Sequence, residues 1–190
     1  MRPTIVFDLD GTLVDTAADL VATLNVILER EGLDAVPYAE AVPMVGHGAR
    51  VLIERGLAAN GASRQAAIID RMFDDYIAHY AANIALGSRP FPGVVAALDA
   101  FAARGWLLAV CTNKLEHLSL KLLGELGLAD RFDAICGADT FLARKPDPIA
   151  LTETIRRAGG IAEAAIMVGD SRTDIDTAKA AAIPVVAVDF

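Results

Sequence analysis

Cysteine is nearly absent from this 190-residue chain, which carries only Cys111 and Cys136. Each lies in an apolar, strand-like run, where a free buried thiol is the ordinary state, so a disulfide-rich secreted scaffold is excluded. Positive charge is also scarce. Seventeen Lys and Arg face twenty-five Asp and Glu, for a net charge of −8. A surface of that sign argues against nucleic-acid partners, because binding a phosphate backbone needs a basic face. No apolar run approaches the length of a membrane span. The amino terminus shows no basic segment followed by an apolar one, so no signal peptide is expected and a cytoplasmic location is. No internal repeat or low-complexity tract stands out.

What is present points to a packed domain with a sizeable core. Hydrophobic residues make up 54% of the chain, much of it alanine, which favours helices. The length fits one domain, or one domain carrying an inserted subdomain. The most informative stretch is Ile5-Val6-Phe7-Asp8-Leu9-Asp10-Gly11-Thr12. Thr4 to Phe7 reads as a short strand buried on both faces. Asp8 and Asp10 follow at its carboxyl end, the edge at which open α/β sheets bind ligands. Alternation puts their side chains on one side. Like charges resist sharing a site, so such a pair implies a use: nucleophile, acid or base, or metal ligand.

From Thr16 to Ile84 no strand is expected, and Pro37 and Pro43 break the stretch after the first helix. A helix is predicted from Thr16, with Thr16-Ala17-Ala18-Asp19 as a capping box and Gly32 at its exit. A second starts near Gly48 and runs through Leu57. A third, capped by Ser63, carries Ile68, Ile69, Met72, Phe73, Tyr76, Ile77 and Tyr80. Beyond a breaker zone at 86–92 the rhythm changes. Helices at 94–103, 115–126, 149–157 and 173–182 alternate with strands at 107–111, 132–136, 165–168 and 185–188. Such alternation implies parallel strands with helical crossovers. The expected fold is therefore α/β, a Rossmann-like parallel sheet core formed by 1–14 and 88–190, with an inserted all-helical cap at 15–87. The connectors Leu13–Asp15 and Leu86–Arg89 should lie side by side as the hinge of a lid.

Strand ends then supply a constellation. Asp8 and Asp10 follow the first strand, Thr112 and Asn113 the second, and Gly169-Asp170 the fourth, with Asp174 four residues on. Lys145-Pro146 lies in the loop after the third. In a parallel sheet these ends share one edge. An acidic protein that handles phosphate must also supply local positive charge there, from a metal or from placed cations.

Four segments carry a resemblance over essentially the whole chain: Asp8-Leu9-Asp10-Gly11-Thr12, Cys111-Thr112-Asn113, Arg144-Lys145-Pro146 and Gly169-Asp170-Ser171-Arg172-Thr173-Asp174. The sequence resembles the haloacid dehalogenase superfamily of phosphotransferases. That resemblance implies Mg²⁺ dependence and an aspartyl-phosphate intermediate. It makes Asp8 the nucleophile and Asp10 the general acid/base. It makes Thr112 and the amide of Asn113 phosphate contacts, and Lys145 the cation bridging nucleophile and phosphate. The metal would be held by Asp8, the backbone carbonyl of Asp10, and Asp170, with Asp174 supporting its shell.

Asp10 sets the chain apart from dehalogenase relatives and P-type pumps, and favours a phosphatase or phosphomutase. The absence of lysine from Thr16 to Gly87 disfavours the phosphonate-cleaving branch. Val45-Gly46-His47-Gly48-Ala49 and Arg89-Pro90-Phe91-Pro92-Gly93 resemble the cap and hinge of phosphoglycolate phosphatases. The expected reaction is hydrolysis of a small phosphorylated metabolite, 2-phosphoglycolate to glycolate and phosphate, by a monomer or homodimer. The alternatives are transfer like that of β-phosphoglucomutase and broad sugar-phosphate or pyrophosphate hydrolysis. Gly48 amides, with His47 or Arg50, are candidates to meet a substrate carboxylate. Such relatives continue past the last strand with a further turn and helix, which is not expected to carry catalytic groups.

Overall fold

The computed structural model describes residues 2–189. The chain divides into two compact units, Met1–Asp15 with Arg89–Phe190, and Thr16–Ser88. It opens with strand β1 (Thr4–Phe7), buried along its whole length. The tight segment 8–13 leads to β2 (Val14–Asp15). The helical unit follows: α1 (Ala17–Arg30), a single turn α2 (Tyr38–Ala41), α3 (Ala49–Ala59) and α4 (Ala66–Ala82). The chain returns through β3 (Arg89–Pro90), then α5 (Val94–Ala103), β4 (Leu107–Cys111), α6 (Glu116–Glu125), β5 (Ala134–Cys136), α7 (Pro148–Arg157), β6 (Ala165–Gly169), α8 (Arg172–Ala180) and β7 (Val185–Ala187).

The main sheet has the order β5-β4-β1-β6-β7, with every neighbouring pair parallel. Successive strands build outward from β1 on one side, then the chain crosses to β6 on the other. The gap between the ends of β1 and β6 is thus the topological switch point, where open α/β sheets leave a crevice for ligands. Both faces of the inner strands are apolar, which is why they read as continuous hydrophobic runs. On one face Val6, Ala109, Cys111, Cys136 and Met167 pack with Leu151 and Ile155 of α7 and Ala178 of α8. On the other, Ile5, Phe7, Ile166, Val168 and Val186 line an apolar groove of about 450 Å³ with Leu98 and Phe101 of α5 and with Trp106. A second ladder pairs Val14 with Pro90 and Asp15 with Arg89, antiparallel. Of the two expected connectors, this ladder brings Asp15 beside Arg89.

In the helical unit, Leu24, Ile27 and Leu28 of α1, Leu52, Ile53 and Leu57 of α3, and Met72, Tyr76 and Tyr80 of α4 are buried. Their three- and four-residue spacing is the amphipathic helix signal. Two expected caps are not formed. Thr16 precedes α1 without a side-chain capping bond. Asp19 is drawn instead to the far end of the unit: its carboxylate accepts from the Gly87 N–H at 2.8 Å, the Ser88 N–H at 2.8 Å and the Ser88 hydroxyl at 2.6 Å. Three donors together outcompete the one amide that a capping box would offer. Ser63 does not cap α4, which starts at Ala66 after Gln65.

Candidate active site

Asp8 leaves β1 with its N–H still bonded to the Val168 carbonyl of β6 at 2.9 Å, so the sheet fixes the backbone that carries it. Its Oδ1 accepts from the Leu9 N–H at 2.7 Å and from Lys145 Nζ at 2.8 Å. The same ammonium donates to Asp174 Oδ1 at 2.6 Å. Lys145 comes from the β5–α7 loop, which Asn113 steadies by donating from Nδ2 to the Lys145 carbonyl at 3.1 Å. Asp174 lies in the first turn of α8. Its Oδ2 accepts from the Ser171 N–H and hydroxyl, and Ser171 caps the helix in return. Asp174 is thus both a cap and an ion-pair partner, and it is wholly buried. Asp170 directly follows β6 and accepts at Oδ1 from the Thr12 hydroxyl at 2.6 Å.

Burial pushes the Asp8 carboxyl up from 3.8 to about 7, although Lys145 pulls it the other way. For Lys145, burial works against the charge, but Asp8 and Asp174 outweigh it and hold its pKa above the ordinary lysine value. Burial of the carboxyl also raises Asp170, against the Thr12 hydrogen bond. Acids this reluctant to ionise suit a further cation. Asp8, Asp170 and Asp174 each offer an oxygen, and these atoms lie within 4.8 Å of one another. An all-carboxylate set at that spacing fits a hard divalent ion. The backbone keeps the space clear. Gly11 has φ +86°, and a Cβ there would fall 2.5 Å from Asp170 Oδ2. Only glycine combines that conformation with that approach.

Comparison with known proteins places the chain in a family. A model of the haloacid dehalogenase-like hydrolase family matches residues 5–188. The chain belongs to this family. It is 58% identical over 189 residues to a phosphoglycolate phosphatase of Mesorhizobium japonicum, covering 100% of this chain and 83% of the relative. It is 47% identical over 190 residues to one from Agrobacterium fabrum, covering 100% and 82%. A crystal structure from Haemophilus somnus, described as a predicted phosphoglycolate phosphatase, superposes with a TM-score of 0.90 at 28% identity, covering 98% of this chain and 84% of that one.

Within this haloacid dehalogenase-like hydrolase, the core residues singled out in the sequence meet at one sheet edge. Thr112 is buried at the end of β4, its hydroxyl accepting from the Lys114 N–H at 3.2 Å. Asn113 stands beside it, with Oδ1 buried and without a hydrogen-bond partner. Asp10 is met by a residue the sequence reading passed over. Lys114 Nζ lies 2.8 Å from Asp10 Oδ1 and 3.0 Å from Oδ2, and Lys114 is buried. Its place directly after Thr112-Asn113 was the available signal. Gly48, His47 and Arg50 belong to the helical unit. There Gly48 precedes α3 with φ +89°. Arg50 is exposed, paired with Asp70 and placed over the Phe73 ring. His47 Nδ1 lies 3.3 Å from Arg55 Nη1.

Proposed function

We propose that this chain is a phosphoric monoester hydrolase acting through an aspartyl phosphate on Asp8, with 2-phosphoglycolate as substrate and Mg²⁺ as cofactor. The reaction class rests on one observation, the meeting of buried Asp8, Lys145 and Asp174 with the exposed Asp170 at one sheet edge. The substrate rests on the relatives named phosphoglycolate phosphatase. Similarities to CbbY of Rhodobacter sphaeroides and to a β-phosphoglucomutase of Clostridium difficile, at 23% and 20% identity, speak for the fold alone.

The chemistry follows from charge and position. A phosphate dianion approaching ionised Asp8 at about 4 Å, with an effective dielectric near 20, meets about 4 kcal/mol of repulsion per pair of unit charges. Lys145 offsets part of this and, with the Leu9 N–H, fixes the plane of the Asp8 carboxylate. Asp8, the Asp10 carbonyl and Asp170, with Asp174 in support, would hold Mg²⁺, which would supply further charge neutralisation for the incoming phosphate. Thr112 and the Asn113 amide take up phosphoryl oxygens. The Asp8 carboxylate attacks phosphorus as the ester P–O bond breaks, and Asp10 gives its proton to the leaving alkoxide. Asp10 then takes a proton from water as the water oxygen attacks phosphorus, releasing phosphate and restoring Asp8. Positioning and electrostatics do most of this work.

A panel of small phosphate esters, assayed with Mg²⁺ and with EDTA, tests the proposal. Expected are highest kcat/KM on 2-phosphoglycolate, one phosphate released per turnover, and loss of activity in EDTA. Asp8→Asn should abolish turnover and phosphoenzyme together. Full turnover by that variant, or no phosphate release from any ester by the wild type, overturns the mechanism; stronger activity on neutral sugar phosphates overturns the substrate.

A further inference from the structure

The site holds a second buried ion pair that the reaction scheme leaves without a role. Lys114 lies at the start of the β4–α6 connection, two residues past Thr112. Its own N–H donates to the Thr112 hydroxyl, so its backbone is tied to a phosphate-contact residue. Its ammonium spans both oxygens of Asp10, at 2.8 and 3.0 Å. The Lys114 side chain is 5% exposed and the Asp10 side chain 13%. A lysine this withdrawn from water is uncommon unless paired. Removing one partner of such a pair is far costlier than its net value, because the other charge stays behind.

The two lysines divide the acids between them. Lys145 serves Asp8 and Asp174, the acids on the phosphorus side. Lys114 serves Asp10, which in the scheme above faces the leaving group and the attacking water. A carboxylate on a short side chain can rotate about χ1 and χ2. An ammonium bridging both of its oxygens removes that freedom and fixes the direction in which the carboxyl can exchange a proton. Proton transfer depends on that direction.

We propose that Lys114 is a positioning residue for Asp10, orienting its carboxyl toward the leaving-group oxygen without itself touching substrate. This rests on the reading of Asp10 as the general acid/base. A specific pattern follows. Alkyl phosphates, whose leaving group needs a proton, should depend on Lys114. Aryl phosphates with a stable leaving anion should depend on it much less in the first step.

The test compares wild type, Lys114→Met and Lys114→Arg on three esters: 2-phosphoglycolate, a neutral alkyl ester such as glycerol 2-phosphate, and p-nitrophenyl phosphate. Single-turnover phosphorylation of the enzyme is followed so that leaving-group departure is seen apart from hydrolysis of the phosphoenzyme. For Lys114→Met, the phosphorylation rate should fall about 10²-fold on both alkyl esters and less than about 10-fold on p-nitrophenyl phosphate, with substrate affinity little changed. Lys114→Arg, which can still bridge a carboxylate, should recover much of the loss. Thermal melting of each variant shows that it is folded under assay.

Equal losses on all three esters would overturn the proposal in favour of a structural role. A loss confined to 2-phosphoglycolate and seen mainly in affinity would also overturn it, by making Lys114 a contact for the substrate carboxylate. Wild type inactive on every ester would instead defeat the proposed function itself.

Discussion

Lys145 and Asp174 form an ion pair with almost no access to water: Nζ to Oδ1 is 2.6 Å, and their side chains are 2% and 0% exposed. Asp8 shares the same ammonium at 2.8 Å. Truncating one member of such a cluster leaves the others charged in a poor solvent. Lys145→Met is therefore expected to cost about 3–5 kcal/mol of stability besides abolishing activity. Urea denaturation at neutral pH measures it. Adding Asp174→Asn should recover part of the loss, since it removes the stranded charge. A stability unchanged by Lys145→Met contradicts this account.

Asp8 sets a pH dependence whose sign is opposite to that of an ordinary salt-bridged acid. Its carboxyl titrates near 7 in the fold against 3.8 in the open chain. The folded protein keeps a proton that the unfolded chain gives up. The stabilisation from this group is complete below about 3.8 and is lost as pH rises toward 7. Asp170 is raised in the same direction. Mg²⁺ held by these oxygens, as proposed, would compete with the proton, so the rise in melting temperature on adding Mg²⁺ should grow from pH 5 to pH 8. In Asp8→Asn that growth should be much smaller. A Mg²⁺ effect that is flat across the window in the wild type contradicts the assignment.

Asp19 closes the helical unit on itself by accepting from three donors, the Gly87 and Ser88 N–H groups and the Ser88 hydroxyl. Asp19→Ala leaves the buried Ser88 N–H and hydroxyl without this acceptor, at about 1–3 kcal/mol. Asp19→Asn should be nearer to Ala than to wild type, because its amide NH₂ faces donors. Hydrogen exchange at the Gly87 and Ser88 amides should quicken in both variants, while exchange in the β1–β4–β6 ladder stays slow. Unaltered exchange at 87–88 contradicts the role.

The inner strands were readable because β1, β4 and β5 are buried along their length as continuous apolar runs. Leu107–Cys111 and Val94–Ala103 match their expected spans. The third strand was drawn too long. It begins at Ala134; the Asp133 N–H still donates to the Leu108 carbonyl, but its side chain rather than a strand carbonyl takes the Leu108 N–H at 2.9 Å. The acids of the site were legible for the same reason as the sheet: strand ends in a parallel array must converge. Side chains whose partners are remote were not. Asp19 followed a local capping pattern but answered donors 68 and 69 residues on. Lys114 was invisible as a site residue because its meaning depends on Asp10, 104 residues away. A long flexible side chain carries no periodicity of its own.

The short ladder of Val14 with Pro90 and Asp15 with Arg89 has a consequence for how such chains diversify. Neighbouring strands stand about 4.8 Å apart, so the chain departs at Asp15 and re-enters at Arg89 almost where it left. Topologically, everything from 16 to 88 is the loop of a β-hairpin. A graft of different length or architecture can replace that loop without moving a single strand of the five-stranded sheet. Exchanging 16–88 between relatives therefore asks directly whether the choice of substrate travels with the helical unit while the reaction chemistry stays with the sheet.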